Sequence, residues 1–292
     1  MLQEIMIEVT KEILKNIYKP RPMVGKKYEY GLLLVIGGSE FYSGSPALSG
    51  LAAFRAGVDM VRIIAPERAA NIIASFTPDL AAYPLKGDWL TKKHLAILLE
   101  MTEAAKIISH GKTAVVIGGG LGRSKETQEV ILEYLSQISV PCVIDADAIH
   151  AVGKKPSVIS GKNCLFTPHL YEFFVLTKKE VDDLSDDERI KIVQEQSQRL
   201  QTTILLKSGT DIISDGKEVA LNKTGSSFMT VGGTGDTLAG IAGAILARGI
   251  SPFEASQAAA YINGIAGEIA SQKFGESLMA TDLIASIPEA LK

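Results

Sequence analysis

The sequence predicts an α/β fold: a doubly wound, mostly parallel central sheet with helices around it and an antiparallel hairpin extension. Three observations predict it. Gly31 to Ile36 (GLLLVI) is a continuous apolar run without alternation, which suits a central strand buried on both faces. That run, and others like it, ends in glycines or acids and passes into a helical segment, the βα unit of an open sheet. Further on, Ile212-Ile213 and Val219-Ala220-Leu221 flank Asp215-Gly216, a hairpin turn signature.

The elements follow in order. Residues 8–18 carry Val9, Ile13, Leu14 and Ile17 at helical spacing, and Pro20-Arg21-Pro22 ends that segment. Gly31–Ile36 runs through Gly37-Gly38-Ser39 into a helix of small residues, Ala47 to Gly57. The glycines do not make Gly-x-Gly-x-x-Gly, so a dinucleotide fingerprint is rejected. Residues 58–65 read as a strand, 67–75 as a helix and 79–85 as a short strand. A helix over 91–106 precedes Val115-Val116-Ile117, which enters Gly118-Gly119-Gly120-Leu121-Gly122 and a helix over 125–137. Four glycines in five residues let a ligand approach the backbone closely; a plain connecting turn is the alternative.

A third unit starts at Pro141 and places Asp145 and Asp147 at a strand's carboxyl end, the ligand edge of open sheets; Asp147 reads equally as a helix N-cap. The fourth is Leu165-Phe166-Thr167-Pro168-His169, with Pro168 in the first turn of a helix and His169 and Glu172 on one face. Residues 179–200 read as a charged helical cover. Strand 203–206 leads to Lys207, which either meets a phosphate or is solvated. Residues 236–248 and 251–272 are Ala- and Gly-rich helices, separated by Gly249 and Ser251-Pro252, and a last helix begins at Thr281-Asp282.

Composition narrows the function classes. The 292 residues are 46% hydrophobic and 22% charged, with net charge −3, which argues against general nucleic-acid binding. No apolar run reaches the roughly 18 residues that span a bilayer, and Met1-Leu2-Gln3-Glu4 lacks the basic start of a leader. The expectation is a soluble, cytoplasmic protein without a membrane partner. Cys142 and Cys164 have apolar neighbours and read as buried reduced thiols.

The most informative stretch is Met229-Thr230-Val231-Gly232-Gly233-Thr234-Gly235-Asp236. A glycine turn opening a helix leaves N–H groups unpaired at a positive dipole end, which suits a phosphate. A carboxylate there repels that phosphate. Asp236 therefore reads as a base acting on a group beside it, with a helix cap as the alternative.

Taken in order, these motifs resemble the ADP/ATP-dependent NAD(P)H-hydrate dehydratases. They are Gly37-Gly38-Ser39 with Tyr42-Ser43-Gly44-Ser45-Pro46, Gly118 to Gly122, Asp145-Ala146-Asp147-Ala148, Thr167-Pro168-His169 with Glu172, Lys207-Ser208-Gly209-Thr210, and Gly232 to Asp236. Tyr261 to Gly267 and Ala280-Thr281-Asp282 resemble the family's C-terminal pattern. The resemblance runs from about Pro20 to Pro288. It implies one ribokinase-like three-layer α/β/α domain over 1–292, residues 1–22 being an N-terminal helical extension, without the epimerase domain often fused in the family. It also implies a homo-oligomer, a tetramer by analogy.

The implied reaction is nucleotide-dependent dehydration of (6S)-NAD(P)H hydrate. ADP or ATP phosphorylates the C6 hydroxyl, phosphate leaves, and the double bond returns. By resemblance Asp236 is the base, and the N–H groups of Gly233, Thr234 and Gly235 stabilise the transferring phosphoryl. Ser45, Gly122 and His169 contact the hydrate. Lys207, Ser208, Gly209, Thr210, Asp211 and Gly235 bind the adenine nucleotide, and Glu172 acts near Mg2+ through water. Some positions depart from the family. Ser45 stands where alanine is usual, Gly119 where proline is common, Leu170-Tyr171 where Pro-Gly is usual, and Ser226 to Met229 where Asn-Pro-Gly-Met or similar is usual. Two other readings share parts of this pattern: a kinase of a hydroxyethylthiazole- or hydroxymethylpyrimidine-type vitamin precursor, and a non-catalytic nucleotide-binding protein.

Overall fold

The structure, a computed structural model, describes residues 6–292. The first five residues of the expected N-terminal extension, including the stretch read for a leader, lie outside the described residues. The chain opens with β1 (Met6–Glu8) and α1 (Glu12–Ile17). Then come β2 (Leu32–Ile36), α2 (Gly44–Arg55), β3 (Met60–Pro66), α3 (Glu67–Phe76) and β4 (Ala81–Leu85). Next are α4 (Leu95–Ile108), β5 (Thr113–Ile117), α5 (Lys125–Gln137), β6 (Cys142–Ile144), α6 (Ala146–Val152), β7 (Cys164–Phe166) and α7 (Leu170–Thr177). The rest is α8 (Asp186–Leu200), β8 (Thr203–Leu206), β9 (Asp211–Ser214), β10 (Val219–Asn222), α9 (Thr234–Ala247), α10 (Pro252–Phe274) and α11 (Ala280–Ala290).

The strands form one sheet in the order β1-β10-β9-β8-β7-β6-β5-β2-β3-β4. β9 runs antiparallel to both neighbours, and every other pair is parallel. The chain winds outward from β2 through β3 to β4, then returns to β5 beside β2 and winds the other way. The carboxyl ends of β2 and β5 are thus the topological switch point, where such sheets bind ligands. Gly37-Gly38 and Gly118 to Gly120 meet there: Gly38 N–H donates to the Gly119 carbonyl at 2.8 Å.

β2 shows why an unbroken apolar run was required. Leu33 and Val35 enter one core, while Leu32, Leu34 and Ile36 enter the other, and none is more than 2% exposed. The first core packs α1, α2, α3, α9, α10 and α11 on one face; the second packs α4 to α8 on the opposite face. Truncating one of these β2 side chains to alanine costs about 2–5 kcal/mol. The small residues of α9 let it press against α2 and the sheet. A Cβ on Gly240 would overlap the Ser49 carbonyl, and one on Gly243 would meet Val116 and Leu33. Cys142 and Cys164 face each other on adjacent strands as buried free thiols, Sγ to Sγ 3.2 Å. Among the described residues no helix is long and apolar enough to cross a membrane.

Four local expectations change. Residues 8–18 are not all helix, because Met6–Glu8 pairs with Val219–Leu221 as an added edge strand outside the hairpin. Its three residues are too few to show a period. The helix read over 179–200 begins only at Asp186, where Ser185 and Glu188 form a reciprocal cap. The helix read over 91–106 opens with a 3-10 turn at Lys92–His94 before α4. Pro168 precedes the cap of α7 rather than lying in its first turn, since His169 is the N-cap.

Candidate active site

Asp236 is the third residue of α9. Gly233 caps that helix at φ 101°, a left-handed conformation that favours glycine, so Asp236 is not the cap. The Thr234 hydroxyl is engaged inside the turn, donating to the Met229 carbonyl at 2.9 Å. The first N–H groups of α9 are left for an external acceptor. The Ser49 hydroxyl donates to the Asp236 carbonyl at 2.9 Å, joining the start of α9 to the middle of α2. Burial pushes the Asp236 carboxyl up to about 6; Asp145 and Glu172 add to the rise, while Ser45 and Lys207 oppose it. A carboxylate in that range is a competent base near neutral pH.

The Ser45 hydroxyl donates to Oδ1 of Asp236. Residue 119 lies over this pair. A Cβ at Gly119 would overlap Ser45 Oγ and come within 3.0 Å of Asp236 Oδ1. The serine at 45 and the glycine at 119, two departures from the family pattern, are therefore one steric arrangement. The hydroxyl occupies the space that a side chain at 119 would fill.

Lys207 leaves the end of β8 and gathers Asp145, at the end of β6, and Glu172, in the first turn of α7. Its Nζ lies 3.4 Å from Asp145 Oδ1 and 3.8 Å from Glu172 Oε2. Burial alone would lower its pKa, but Asp145 and Glu172 outweigh that and hold the ammonium charged. A Cβ on Gly235 would sit 3.3 Å from that ammonium, so the cation stands beside the positive end of α9. Asp145 is fixed by the Thr167 hydroxyl at 2.8 Å. Burial raises the Glu172 carboxyl, although Lys207 opposes the rise. His169 and Glu172 do not simply share a face. The His169 N–H donates to Glu172 Oε2 at 3.0 Å, and the Glu172 N–H to His169 Nδ1 at 3.4 Å, a reciprocal helix cap.

A cavity of about 750 Å³ opens beside this cluster. It is lined by His169, Lys207, Ser208, Gly209, Asp211, Thr234 and Gly235. The fold thus brings the expected nucleotide segment to the opening of α9 and places His169 on that same side. Thr210 does not line the cavity; its carbonyl accepts the Ser208 hydroxyl and shapes the turn. Asp211 accepts the Ser208 N–H at 3.2 Å and an Asn222 side-chain N–H at 3.0 Å, and burial pushes its carboxyl up to about 6. Ser45 and Gly122 do not line this cavity; Ser45 stands with Gly119 against Asp236, and Gly122 follows in the same glycine loop.

Two residues to which the resemblance assigned no site role, Asp147 and Asn263, complete the site. Asp147 is not an N-cap: its carboxylate accepts the Gly122 N–H at 2.8 Å and Arg123 Nε at 2.7 Å, pinning the glycine loop. Asn263 accepts the Thr237 hydroxyl at 2.7 Å and lines the cavity with Thr224 and Leu238. The aspartate two residues after Asp145 was the available signal for the first. An asparagine inside an Ala- and Gly-rich helix was the signal for the second. Among the described residues no three His, Cys, Asp or Glu side chains converge on a metal position. Asp145 and Glu172 still offer hard oxygen donors, and one or two carboxylates suffice for a magnesium ion that keeps its waters and binds phosphate.

The profile of the NAD(P)H-hydrate dehydratase family matches residues 33–289. An ADP-dependent (S)-NAD(P)H-hydrate dehydratase of Cenarchaeum symbiosum is 40% identical over 268 residues, covering 91% of this chain and 90% of that protein. A bifunctional NAD(P)H-hydrate repair enzyme Nnr of Pyrobaculum aerophilum is 42% identical over 269 residues, covering 91% of this chain. The chain spans about half the length of such bifunctional relatives, 52% in that case. Among solved structures, a ribokinase-like superfamily protein of Enterococcus faecalis superposes with a TM-score of 0.83 at 25% identity, covering 98% of this chain and 95% of that one. The ADP/ATP-dependent NAD(P)H-hydrate dehydratase of Bacillus subtilis, co-crystallised with ATP/Mg2+, gives 0.81 at 26% identity, covering 99% and 98%. With its switch-point site, its layering and these matches, the chain belongs to the NAD(P)H-hydrate dehydratase family, on a ribokinase-like fold.

Proposed function

We propose that the protein dehydrates (6S)-NAD(P)H hydrate to NAD(P)H at the expense of ADP or ATP. The observation that carries this reading is the placement of Asp236: a base with its carboxyl near 6, between the Lys207 cavity and the Ser45–Gly119 wall. The terminal phosphate of the nucleotide docks on the first N–H groups of α9, with Lys207 beside it. The hydrate approaches from the Ser45 and Gly122 side. Asp236 takes the proton of the C6 hydroxyl. The oxygen attacks phosphorus, and the bond from phosphorus to the nucleotide oxygen breaks, leaving AMP from ADP or ADP from ATP. The phosphate ester then loses a proton from C5 and inorganic phosphate from C6, and the C5–C6 double bond returns. Hydroxide leaves poorly and phosphate well, which is why a nucleotide is consumed.

The positive dipole end of α9 and the Lys207 ammonium are fixed before the substrate arrives, so they stabilise developing phosphoryl charge without reorganisation. Magnesium, when bound with the nucleotide, neutralises phosphate charge, and Glu172 with Asp145 would hold it through water. The named relatives support ADP as donor, and the ATP/Mg2+ co-crystal of the B. subtilis enzyme supports ATP and the metal. A homo-oligomer belongs to this reading by family resemblance, and sedimentation velocity measures it.

The test is to add NADH hydrate with ADP or ATP and follow absorbance in the NADH band. Return of the band at the expense of nucleotide supports the dehydratase. No return, with a small vitamin-precursor alcohol phosphorylated instead, replaces it with a kinase.

A further inference from the structure

Beyond Gly119 the wall of the site is aromatic and exposed. Trp89, the chain's one tryptophan, is 39% exposed, Tyr42 55% and Phe41 79%. Tyr42 and Trp89 each rest on a glycine of the loop after β5. A Cβ on Gly120 would lie 2.8 Å from the Tyr42 Cβ, and one on Gly122 2.7 Å from Cζ3 of Trp89. Both glycines have positive φ, 69° and 81°, so this side of the loop is bare backbone. The two aromatic segments are tied together, since Glu40 N–H donates to the Asp88 carbonyl at 2.7 Å. Gly122 itself is pinned by Asp147. The wall is therefore ordered while its rings stay partly in water. The same loop reaches the reacting centre, because Gly119 abuts Ser45 and Asp236. Exposed apolar surface continuous with a site marks ligand contact, and an ordered aromatic face matches a flat ring.

We propose that Trp89, backed by Gly122 and extended by Tyr42, is the stacking platform for a ring of the hydrated dinucleotide. This rests on the dehydratase reading. Neither aromatic residue lines the Lys207 cavity, so the platform sets affinity for the hydrate and leaves the phosphoryl donor untouched.

Trp89→Ala and Trp89→Phe test it by steady-state kinetics. Losing one stacked ring raises KM for NADH hydrate about tenfold in Trp89→Ala. The KM for ADP or ATP and kcat stay unchanged, and Trp89→Phe recovers most of the loss. Because Trp89 is the sole indole, NAD+, which does not absorb at its emission, also quenches wild-type fluorescence saturably by contact. An unchanged hydrate KM in both variants, a raised nucleotide KM, or no saturable quench overturns the proposal. A wild type that quenches with NAD+ but never restores NADH from the hydrate overturns the dehydratase reading instead.

Discussion

The Ser45 hydroxyl donates to Oδ1 of Asp236 across 191 positions of chain, and it has room to do so because residue 119 carries no side chain. The two residues stand on α2 and α9, whose small side chains bring the helix starts together. Gly119→Ala on its own drives a methyl into Ser45 and the base. Activity should fall by about tenfold to a hundredfold, the range of a 1–3 kcal/mol coupling between touching residues. Ser45→Ala in the same chain vacates the space. The double variant should recover much of kcat/KM, and a double-mutant cycle measures the coupling.

Asp236 must be ionised to act as the base. With its carboxyl near 6, kcat/KM should rise with pH through about 6 and then level off. Ser45 opposes the rise in that pKa by donating to the ionised form. Ser45→Ala should therefore move the acid limb to higher pH. A pH–rate profile of both proteins reads the shift directly.

The same burial costs stability. The Asp236 carboxyl titrates at 3.8 in an unperturbed chain and near 6 in the folded one, so folding is penalised once the unfolded chain ionises first. The penalty is absent below about pH 4, grows between 4 and 6, and is complete above 6. Asp236→Asn removes it, and the attraction of Lys207 is already contained in the carboxyl's position near 6. The variant should be inactive yet more stable by about 1–2 kcal/mol at pH 8, a gain of a few degrees in Tm that disappears near pH 4. Thermal melts at the two pH values check the sign.

Lys207→Met keeps the stem and removes the charge that Asp145 and Glu172 share. The nucleotide KM should rise at least about tenfold, the cost of a lost charge-assisted contact. Two buried acids are also left facing each other without a cation. Melting temperature should drop more at pH 8 than at pH 5, where Glu172, whose carboxyl is raised by burial, takes a proton more readily.

Much of this was legible in the sequence, and the reason is physical. β2 and β5 are buried on both faces, so their apolar runs had no alternation to confuse them with surface strands. The glycines after them stood out because backbone meets backbone at the switch point. The hairpin at Asp215-Gly216 was fixed by local turn chemistry. β1 was not legible, since three residues have no period and their partner lies more than 200 positions away. The Ser45–Gly119 arrangement was visible only as two unrelated departures, because side-chain volume in a shared space has no local signature. Asp147 was ambiguous between cap and ligand for the same reason: its partner, Gly122, belongs to another βα unit.

The central claim is that the C6 oxygen of the hydrate becomes a phosphate oxygen through Asp236. NADH hydrate carrying 18O in its C6 hydroxyl tests this with ADP or ATP and mass spectrometry of the released phosphate. One 18O atom should appear in each inorganic phosphate, in step with restored NADH, and Asp236→Asn should release none. Label recovered in water, with unlabelled phosphate, would contradict it.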